Sequence, residues 1–337
     1  MTRFSFALTA VLVGLLACSS PASAACGLTS ATYTYWPPSP STFLPNDPRC
    51  SLGGYCNQEG VLYTPSGPSS GLPVLIYIHG SGKQHNSSDM CAMISYFVDR
   101  HYVVFHPYLR GVGNTAGTIS STGTYIGDWV DENSFLCGPF QTAADCNAWL
   151  NVLYMRQEVA DVREMVKFLG RLRNAEGLKL IDPSKIALSG HSFGGALVTL
   201  ASSMWPNADI RPAVTIDMSG GVLSWHSSWI WPDALNSAAG AHQMPIFMFQ
   251  TTNESPAFVL SADQAIQSTV QPFLHADGHG TGEAEMVVFS KVKGLEPTCV
   301  MNQGETECAH LQFVQDAVQV NRWAPQVRDF MRRHGVK

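Results

Sequence analysis

The chain has 337 residues, which is enough for one large domain or two of ordinary size. Hydrophobic residues make up 45% of it and charged residues 14%, a composition typical of a globular protein with a large core rather than of a disordered chain. The formal net charge is −6 and the sequence contains no basic run, which argues against a nucleic-acid-binding protein.

The first 24 residues have the pattern of a secretory signal peptide. Arg3 precedes an apolar run, Phe4–Ala17, and the small residues Ala22–Ala24 fit a cleavage site. The run is too short to span a membrane, and we find no longer apolar stretch elsewhere in the sequence. A lipoprotein signal is the alternative, in which Cys18 would become a lipidated N-terminus. We prefer cleavage after residue 24 and expect a secreted or periplasmic protein.

The cysteine content supports export. Nine cysteines occur, and removal of Cys18 leaves an even number, which indicates disulfides in an oxidising compartment. Proximity along the chain favours three local pairs and leaves one distant pair: Cys50–Cys56, Cys137–Cys146, Cys299–Cys308 and Cys26–Cys91. No CxxC pair or Cys/His cluster has the spacing of zinc ligands, so we expect neither a metal nor a cofactor.

Alternating strands and helices predict an α/β protein. The region Ala25–Cys56 is rich in Pro, Ser and Gly and is interpreted as an extended arm, with an edge strand near Tyr33 and Tyr35. Strands are then predicted from apolar runs at Gly60–Pro65, Val74–Gly80, Tyr102–Pro107, Ile186–Leu188, Pro212–Ile216, Pro245–Phe249 and Glu285–Phe289. Helices are predicted at Gln157–Leu172, directly after Gly194, and at Trp323–Met331. We expect one domain over residues 25–337, with a mainly parallel central sheet and helices on both faces.

The most informative stretch is Gly190–Gly194, GHSFG, which fits the G-x-S-x-G pattern. A short apolar strand precedes it, and a helix with small residues follows. In that context the turn forces the serine into a strained conformation and exposes its hydroxyl above the sheet. Ser192 is therefore the candidate nucleophile, and the first amide of the helix faces the same point.

A second glycine-rich loop, His79–Gly82, ends the predicted strand at Val74–Gly80. Glycines leave backbone amides uncovered, so such a loop can direct N–H groups at a developing oxyanion. A plain glycine turn is the alternative interpretation.

A serine hydroxyl needs a base, and the base needs a carboxylate to orient it. His310 is the candidate base, because it follows the last predicted strand in a loop and precedes the closing helix. For the acid, Glu254 follows the strand that ends at Phe249, whereas the rival Asp217 ends the preceding strand. The remaining candidates are less well placed, namely Asp263, His275, His279 and His334.

The chain resembles the α/β-hydrolase family, in particular dienelactone-hydrolase-like esterases and the catalytic domain of prolyl-oligopeptidase relatives. The matching segments are HGSG at His79–Gly82, PYLRG at Pro107–Gly111, GHSFGG at Gly190–Gly195, QTTNE at Gln250–Glu254 and AHLQF at Ala309–Phe313. The resemblance implies Ser192 as nucleophile, His310 as base, and the amides of Ser81 and Phe193 as the oxyanion hole. The family usually carries an aspartate in a G-x-x-D pattern, whereas this chain has Thr251 and Glu254 there.

The expected function is that of a secreted serine esterase that acts on a small-molecule or polymeric ester. The resemblance to the family favours ester cleavage over peptide cleavage, because no propeller-like region precedes the catalytic segments. The alternatives are a prolyl-oligopeptidase-type secreted peptidase and a non-catalytic binding protein of the same fold.

Three tryptophans form a more speculative site. Trp225, Trp229 and Trp231 follow the strand that ends beside the candidate nucleophile, and their spacing is neither helical nor one-faced. They either pack the surface of the domain or line a pocket for an acyl or aryl group. Neither the oligomeric state nor the acyl specificity can be derived from these residues.

Overall fold

The computed structural model describes residues 25–35, 58–67, 70–80, 87–109, 158–203, 205, 210–220, 244–254 and 284–337. Eight strands in these ranges form one sheet, in the order β1-β2-β4-β3-β5-β6-β7-β8. The strands are β1 (Ser30–Tyr35), β2 (Gln58–Tyr63), β3 (Leu72–Ile78), β4 (Val103–Pro107), β5 (Ile181–His191), β6 (Val214–Met218), β7 (Ile246–Thr251) and β8 (Ala284–Phe289). From β4 to β8 all neighbours are parallel, whereas β1 and β2 form an antiparallel edge.

Helices cover both faces of the sheet. Within the described ranges they are α1 (Cys91–Val98), α2 (158–171), α3 (Phe193–Ser203), α4 (Pro297–Gln303), α5 (Glu305–Gln315) and α6 (Ala317–Arg333). Apolar residues of α2 and α3 pack into one core cluster, and those of α1, α5 and α6 pack into another. Side chains of a strand alternate between faces, and β3 follows this rule. Val74 and Ile76 belong to the first cluster, and Leu75 and Tyr77 to the second.

The parallel arrangement determines where the site lies. Because β5 to β8 run in the same direction, the segments that follow them meet at one edge of the sheet. Each strand end is also tied to its neighbour beyond the regular ladder. Ser192 N donates to Met218 O, Ser219 N donates to Phe249 O, and Thr252 N donates to Phe289 O, at 2.9, 2.9 and 3.1 Å. These bonds hold the strand ends at fixed relative positions.

Helix α6 joins two of these segments. Asp316 caps its start, accepting hydrogen bonds from the amides of Val318 and Gln319. The fully buried Trp323 stacks on Phe249 of β7 with ring centroids 5.1 Å apart. Its indole N–H donates to the carbonyl oxygen of Phe313 in α5 at 2.8 Å. One side chain therefore connects β7 to α5.

The structure confirms the predicted α/β architecture, a mainly parallel sheet with helices on both faces. The observed strand ends differ from the predicted ones by a few residues. The sequence interpretation missed α1 and also α4 and α5. It was wrong about the segment around Gly304, which was expected to be a loop. Gly304, with φ of 82°, is a break between two helices rather than part of one long loop. The signals were a proline at the start of α4 and two glutamates in the first turn of α5.

Two predictions from the sequence concern the signal peptide and membrane-spanning segments. The signal peptide over residues 1–24 and the alternative lipidation site Cys18 lie outside the described residues. Among the residues that are described, none of the helices is both long enough and apolar enough to cross a bilayer.

Replacement of Trp323 by Leu is expected to destabilise the fold by about 3 kcal/mol, because it leaves a cavity against Phe249 and removes the hydrogen bond to Phe313. Urea unfolding measures the change. Val318→Ala, at a position of α6 that is 68% exposed, is the matched control and should change the free energy of unfolding by less than about 0.5 kcal/mol. Equal effects of the two substitutions would contradict the role given to Trp323.

Candidate active site

A single residue, Ser192, separates β5 from α3. The strand ends at His191 and the helix begins at Phe193. Ser192 has φ of 54°, a left-handed conformation that is unfavourable for residues other than glycine. Its N–H donates to Met218 O, and its carbonyl accepts from Ala196 N at 3.1 Å. The sharp turn predicted from the sequence is therefore present, and strain of this kind is characteristic of functional positions.

The glycines of the motif are explained by close backbone contacts. A Cβ atom at Gly190 would collide with the carbonyl group of Gly194. A Cβ atom at Gly194 would collide with the carbonyl oxygens of Ile78 and His79 at the end of β3. Only glycine lets the start of α3 approach both neighbouring strands this closely.

The loop after β3 is anchored by His79. Leu109 N donates to His79 Nε2 at 3.2 Å, so this nitrogen is an acceptor and the proton is on Nδ1. Nδ1 then donates to the carbonyl oxygen of Gly80 at 2.6 Å. Of the two predicted oxyanion-hole residues, Phe193 is the first residue of α3, and Ser81 lies outside the described residues.

The structure brings Glu254 and His310 together. Nδ1 of His310 lies 3.1 Å from Oε1 of Glu254, whose side chain is 2% exposed. Three further contacts hold the carboxylate: Ser219 Oγ lies 3.0 Å from Oε1 and 2.8 Å from Oε2, and Thr251 N donates to Oε2 at 3.0 Å. A buried carboxylate needs such donors because burial removes its hydration. Glu254 follows β7 and His310 lies on α5, so the pair depends on the tertiary fold.

Asp217, the alternative acid, makes different contacts. Its Oδ2 accepts a hydrogen bond from Thr199 Oγ1 at 2.9 Å, and its Oδ1 accepts one from Gly220 N at 2.7 Å. Thr199 belongs to α3, and Gly220 follows β6. Complete burial raises the pKa of Asp217 to about 6, and the two hydrogen bonds act in the opposite direction. The described contacts thus pair His310 with Glu254, and they assign Asp217 to the packing of α3 on the sheet.

His191 is a site residue that the sequence interpretation did not recognise. Its ring lies 4.3 Å from the ring of His310, centroid to centroid, and it is completely buried. Burial first, and then the proximity of His310, hold the pKa of His191 well below its ordinary value, although a hydrogen bond with the backbone of His310 acts against this. A neutral, packed ring can support His310 without competing with it for the carboxylate. The signal was its position beside Ser192 in GHSFG.

Within the described ranges, His191, Glu254 and His310 form a group that could hold a metal ion. Ligand atoms of His191, Glu254 and His310 all lie within 4.8 Å of one another. However, Nδ1 of His310 and Oε1 of Glu254, two atoms that could be ligands, already contact each other. The arrangement therefore fits proton transfer between an oriented imidazole and its neighbours at least as well as it fits metal binding.

Two of the four predicted disulfides lie within the described residues and are formed. Cys299–Cys308 joins α4 to α5, and Cys308 is two residues before His310. Cys26–Cys91 joins the N-terminal segment to the start of α1 across a sequence separation of 65 residues. Cys50–Cys56 and Cys137–Cys146 lie outside the described residues.

Other candidates from the sequence can be placed only in part. His334 lies at the C-terminal end of α6, where its ring packs 4.6 Å from that of Phe330. The remaining ones lie outside the described residues, namely Trp225, Trp229, Trp231, Asp263, His275 and His279.

Comparisons with known proteins agree with this geometry at the level of the fold. Protein-family models give no match, and curated protein sequences give none either. Among solved structures, a protein described as a dipeptidyl aminopeptidase IV from Bacteroides ovatus aligns with a TM-score of 0.50 at 13% identity. The alignment covers 89% of this chain and 36% of that one. The chain has the α/β-hydrolase fold.

Two esterase structures also align with this chain. Thermogutta terrifontis esterase 2 is 15% identical, with 83% of this chain and 90% of that chain covered and a TM-score of 0.44. An acetyl xylan esterase from Paenibacillus sp. R4 is 17% identical, with 77% and 78% covered and a TM-score of 0.43. A shared fold does not determine activity, which depends on the residues of the site.

Replacement of Asp217 by Asn is expected to make stability less dependent on pH. As the pH rises from 3.8, the ordinary pKa of this group, to about 6, its value in the folded protein, the wild type loses stability. The reason is that Asp217 stays protonated up to a higher pH in the folded state than in the unfolded state. Asn carries no such proton and can still bond Gly220 and Thr199.

The free energy of unfolding of the Asn variant, relative to wild type, should therefore rise by roughly 2 to 3 kcal/mol between about pH 4 and pH 7. Urea unfolding at several pH values measures this difference. If this difference stays constant with pH, burial does not favour the protonated form of Asp217, and the prediction is wrong.

Proposed function

We propose that the chain is a serine hydrolase that cleaves carboxylic esters through an acyl-enzyme. Ser192 is the nucleophile, His310 the general base and Glu254 the acid that orients the imidazole. The observation that carries the proposal is the contact between Nδ1 of His310 and the buried Glu254. The ring of His310 also lies 4.3 Å from that of His191, the residue before the strained Ser192. Nucleophile, acid and base follow one another along this chain in the order that is typical of α/β-hydrolases.

The first half of the reaction forms the acyl-enzyme. Oγ of Ser192 attacks the ester carbonyl carbon while Nε2 of His310 takes the hydroxyl proton. Glu254 keeps the proton of His310 on Nδ1 and stabilises the imidazolium that forms. The oxyanion of the tetrahedral intermediate accepts hydrogen bonds from the amide of Phe193, at the start of α3, and from that of Ser81. The imidazolium then returns its proton to the leaving alcohol as the carbon–oxygen bond breaks.

The second half regenerates the enzyme. Water attacks the acyl carbon, His310 accepts its proton, and a second tetrahedral intermediate forms in the same oxyanion hole. This intermediate releases the carboxylic acid, and His310 returns the proton to Oγ of Ser192. All of these steps use side chains and backbone amides of the chain, and the balance of atoms is that of ester hydrolysis by water.

The cellular context and the substrate are part of the proposal. Signal-peptide-like residues 1–24 and the two disulfides that are formed support an exported enzyme, secreted or periplasmic. The substrate is an ester, either a small molecule or a polymer. Trp225, Trp229 and Trp231 remain our candidates for the acyl-binding surface, on the basis of their position in the sequence.

The decisive experiment uses a series of p-nitrophenyl esters of increasing acyl length beside a proline-containing p-nitroanilide peptide. Ester turnover by the wild type, and its loss by up to about six orders of magnitude in Ser192→Ala, is the expected result. Circular dichroism and urea unfolding should show that the variant is folded. Residual turnover above a few per cent of wild type would exclude Ser192 as nucleophile, and cleavage of the peptide alone would favour a peptidase.

The two acids are separated by their alanine variants. Glu254→Ala should lower kcat by about three to four orders of magnitude, less than Ser192→Ala, because nucleophile and base remain in place. Asp217→Ala should lower stability more than kcat, since its contacts are with Thr199 and Gly220. Steady-state kinetics at a temperature where both variants are folded tests this assignment. An inactive Asp217→Ala beside an active Glu254→Ala would reverse it.

The disulfide Cys299–Cys308 is expected to support both turnover and heat resistance. Its loop of about nine residues contributes roughly 3 kcal/mol in the chain-entropy model, and it fixes the start of the helix that carries His310. In Cys299→Ser/Cys308→Ser, kcat should fall while KM changes little, because a small displacement of the base costs rate more than binding.

Cys26→Ser/Cys91→Ser is the control for this prediction. It opens a longer loop, worth about 4 kcal/mol in the same model, and should lower Tm at least as much. Its effect on kcat should be smaller, because neither cysteine adjoins His310. Equal losses of kcat in both double variants would show that Cys299–Cys308 contributes only to stability.

A further inference from the structure

Ser219 is a buried residue directly after β6 to which neither the sequence motifs nor the reaction scheme assigns a role. It is 2% exposed, and its hydroxyl lies 2.8 Å from Oε2 and 3.0 Å from Oε1 of Glu254. The other acceptor within reach, the carbonyl oxygen of Phe249, is 3.5 Å away. A hydroxyl has one proton to donate, so the shortest contact directs it to the carboxylate of Glu254.

The contacts of the carboxylate show what this hydroxyl adds. Oε1 faces His310, whereas Oε2 accepts from Thr251 N at 3.0 Å and from Ser219. The amide of Thr251 belongs to β7, the strand that precedes Glu254, and Ser219 directly follows the neighbouring strand β6. The carboxylate is therefore held from two strands at once, which fixes the plane in which Oε1 meets the imidazole.

The length of the side chain explains why a second donor is needed. Glu254 has one more rotatable bond than an aspartate would have, so its carboxylate samples more orientations unless it is held. Thr251 N alone bonds one oxygen and leaves rotation about that bond open. The contact from Ser219 to both oxygens restricts this rotation.

The backbone of Ser219 supports the same interpretation. Its φ is 56°, one of four positive φ values among non-glycine residues of the described ranges. Its N–H donates to Phe249 O at 2.9 Å, which ties the turn to β7. Glycine would adopt this conformation more readily, so a serine here suggests that the side chain has a use that offsets the strain.

We infer that Ser219 is a positioning residue for Glu254, and through it for His310, in the hydrolytic reaction. The inference rests on the proposed function, because it assigns Ser219 to the same site. Ser219 does not touch the reacting atoms. It orients Glu254, which in turn orients His310. Loss of the Ser219 hydroxyl should therefore lower the rate of the chemical step rather than the affinity for substrate.

The test compares two variants that lack the hydroxyl. Ser219→Ala and Ser219→Gly should each lower kcat about tenfold, on the scale of one hydrogen bond to a charged group, with KM unchanged within about twofold. Ser219→Gly also relieves the strained backbone, so it should unfold at a temperature equal to or above that of Ser219→Ala. A merely structural role predicts that the glycine variant keeps wild-type kcat.

Ser202→Ala is the matched control. Ser202 is a buried serine of α3 whose hydroxyl bonds Val198 O and Thr215, away from Glu254 and His310. Its loss should lower Tm while kcat stays within about twofold of wild type. A tenfold loss of kcat in this control would mean that any buried hydroxyl has the effect, and would overturn the inference.

A double-mutant cycle shows whether Ser219 acts through Glu254. In a Glu254→Gln background the further change Ser219→Ala should lower kcat by less than about twofold, because the orienting carboxylate is already lost. An undiminished tenfold loss in that background would contradict the inference, as would wild-type kcat in both Ser219 variants.

Failure of the inference and failure of the proposed function give different results. If wild type hydrolyses esters and Ser192→Ala does not, while the Ser219 variants match wild type, only the role of Ser219 is wrong. If Ser192→Ala matches wild type, or wild type has no hydrolytic activity, the proposed function itself is wrong.

Discussion

The arrangement of the site depends on one buried carboxylate. Glu254 has almost no contact with solvent, and its charge is compensated by donors from three elements: the hydroxyl of Ser219 after β6, the amide of Thr251 in β7 and the imidazole of His310 in α5. Burying a charge without such partners is costly, so these three elements must be packed together for Glu254 to lie where it does. The stability of the fold and the geometry of the site therefore rest on the same contacts.

Close backbone packing at the strand ends is the second constraint. Ser192 and Ser219 both adopt positive φ at the ends of adjacent parallel strands, and each donates its amide to the next strand along. Neighbouring glycines allow this, because Cβ atoms at Gly190 and Gly194 would collide with backbone atoms. The turns are held by the sheet, so the strained residues cannot relax without breaking ladder hydrogen bonds.

Much of the fold was predictable because its signals are local. The parallel strands β3 to β7 are mostly buried apolar runs, and β8 is a partly exposed parallel strand at the edge. Strands of this kind that alternate with connecting segments are compatible with few architectures. The helices α4 and α5 were missed because α4 is short and a glycine lies between them, which resembles a loop. His310 was consequently expected in a loop, although α5, held by Trp323 and by Cys299–Cys308, gives it a more rigid support.

By itself, the sequence determined the turn at Ser192, because strand, glycines, serine and helix are contiguous there and their sterics are local. It also favoured Glu254 and Asp217 as the acid over the less well placed Asp263, and it put both near the ends of neighbouring strands. Only the tertiary structure shows which of their carboxylates contacts His310. Asp217 lies near the end of β6, and Glu254 follows the adjacent β7 at the same edge of the sheet. The carboxylate of Asp217 meets α3, whereas that of Glu254 meets His310. The directions of side chains at strand ends follow from backbone torsions and from packing against distant helices, and neither can be derived from spacing along the chain.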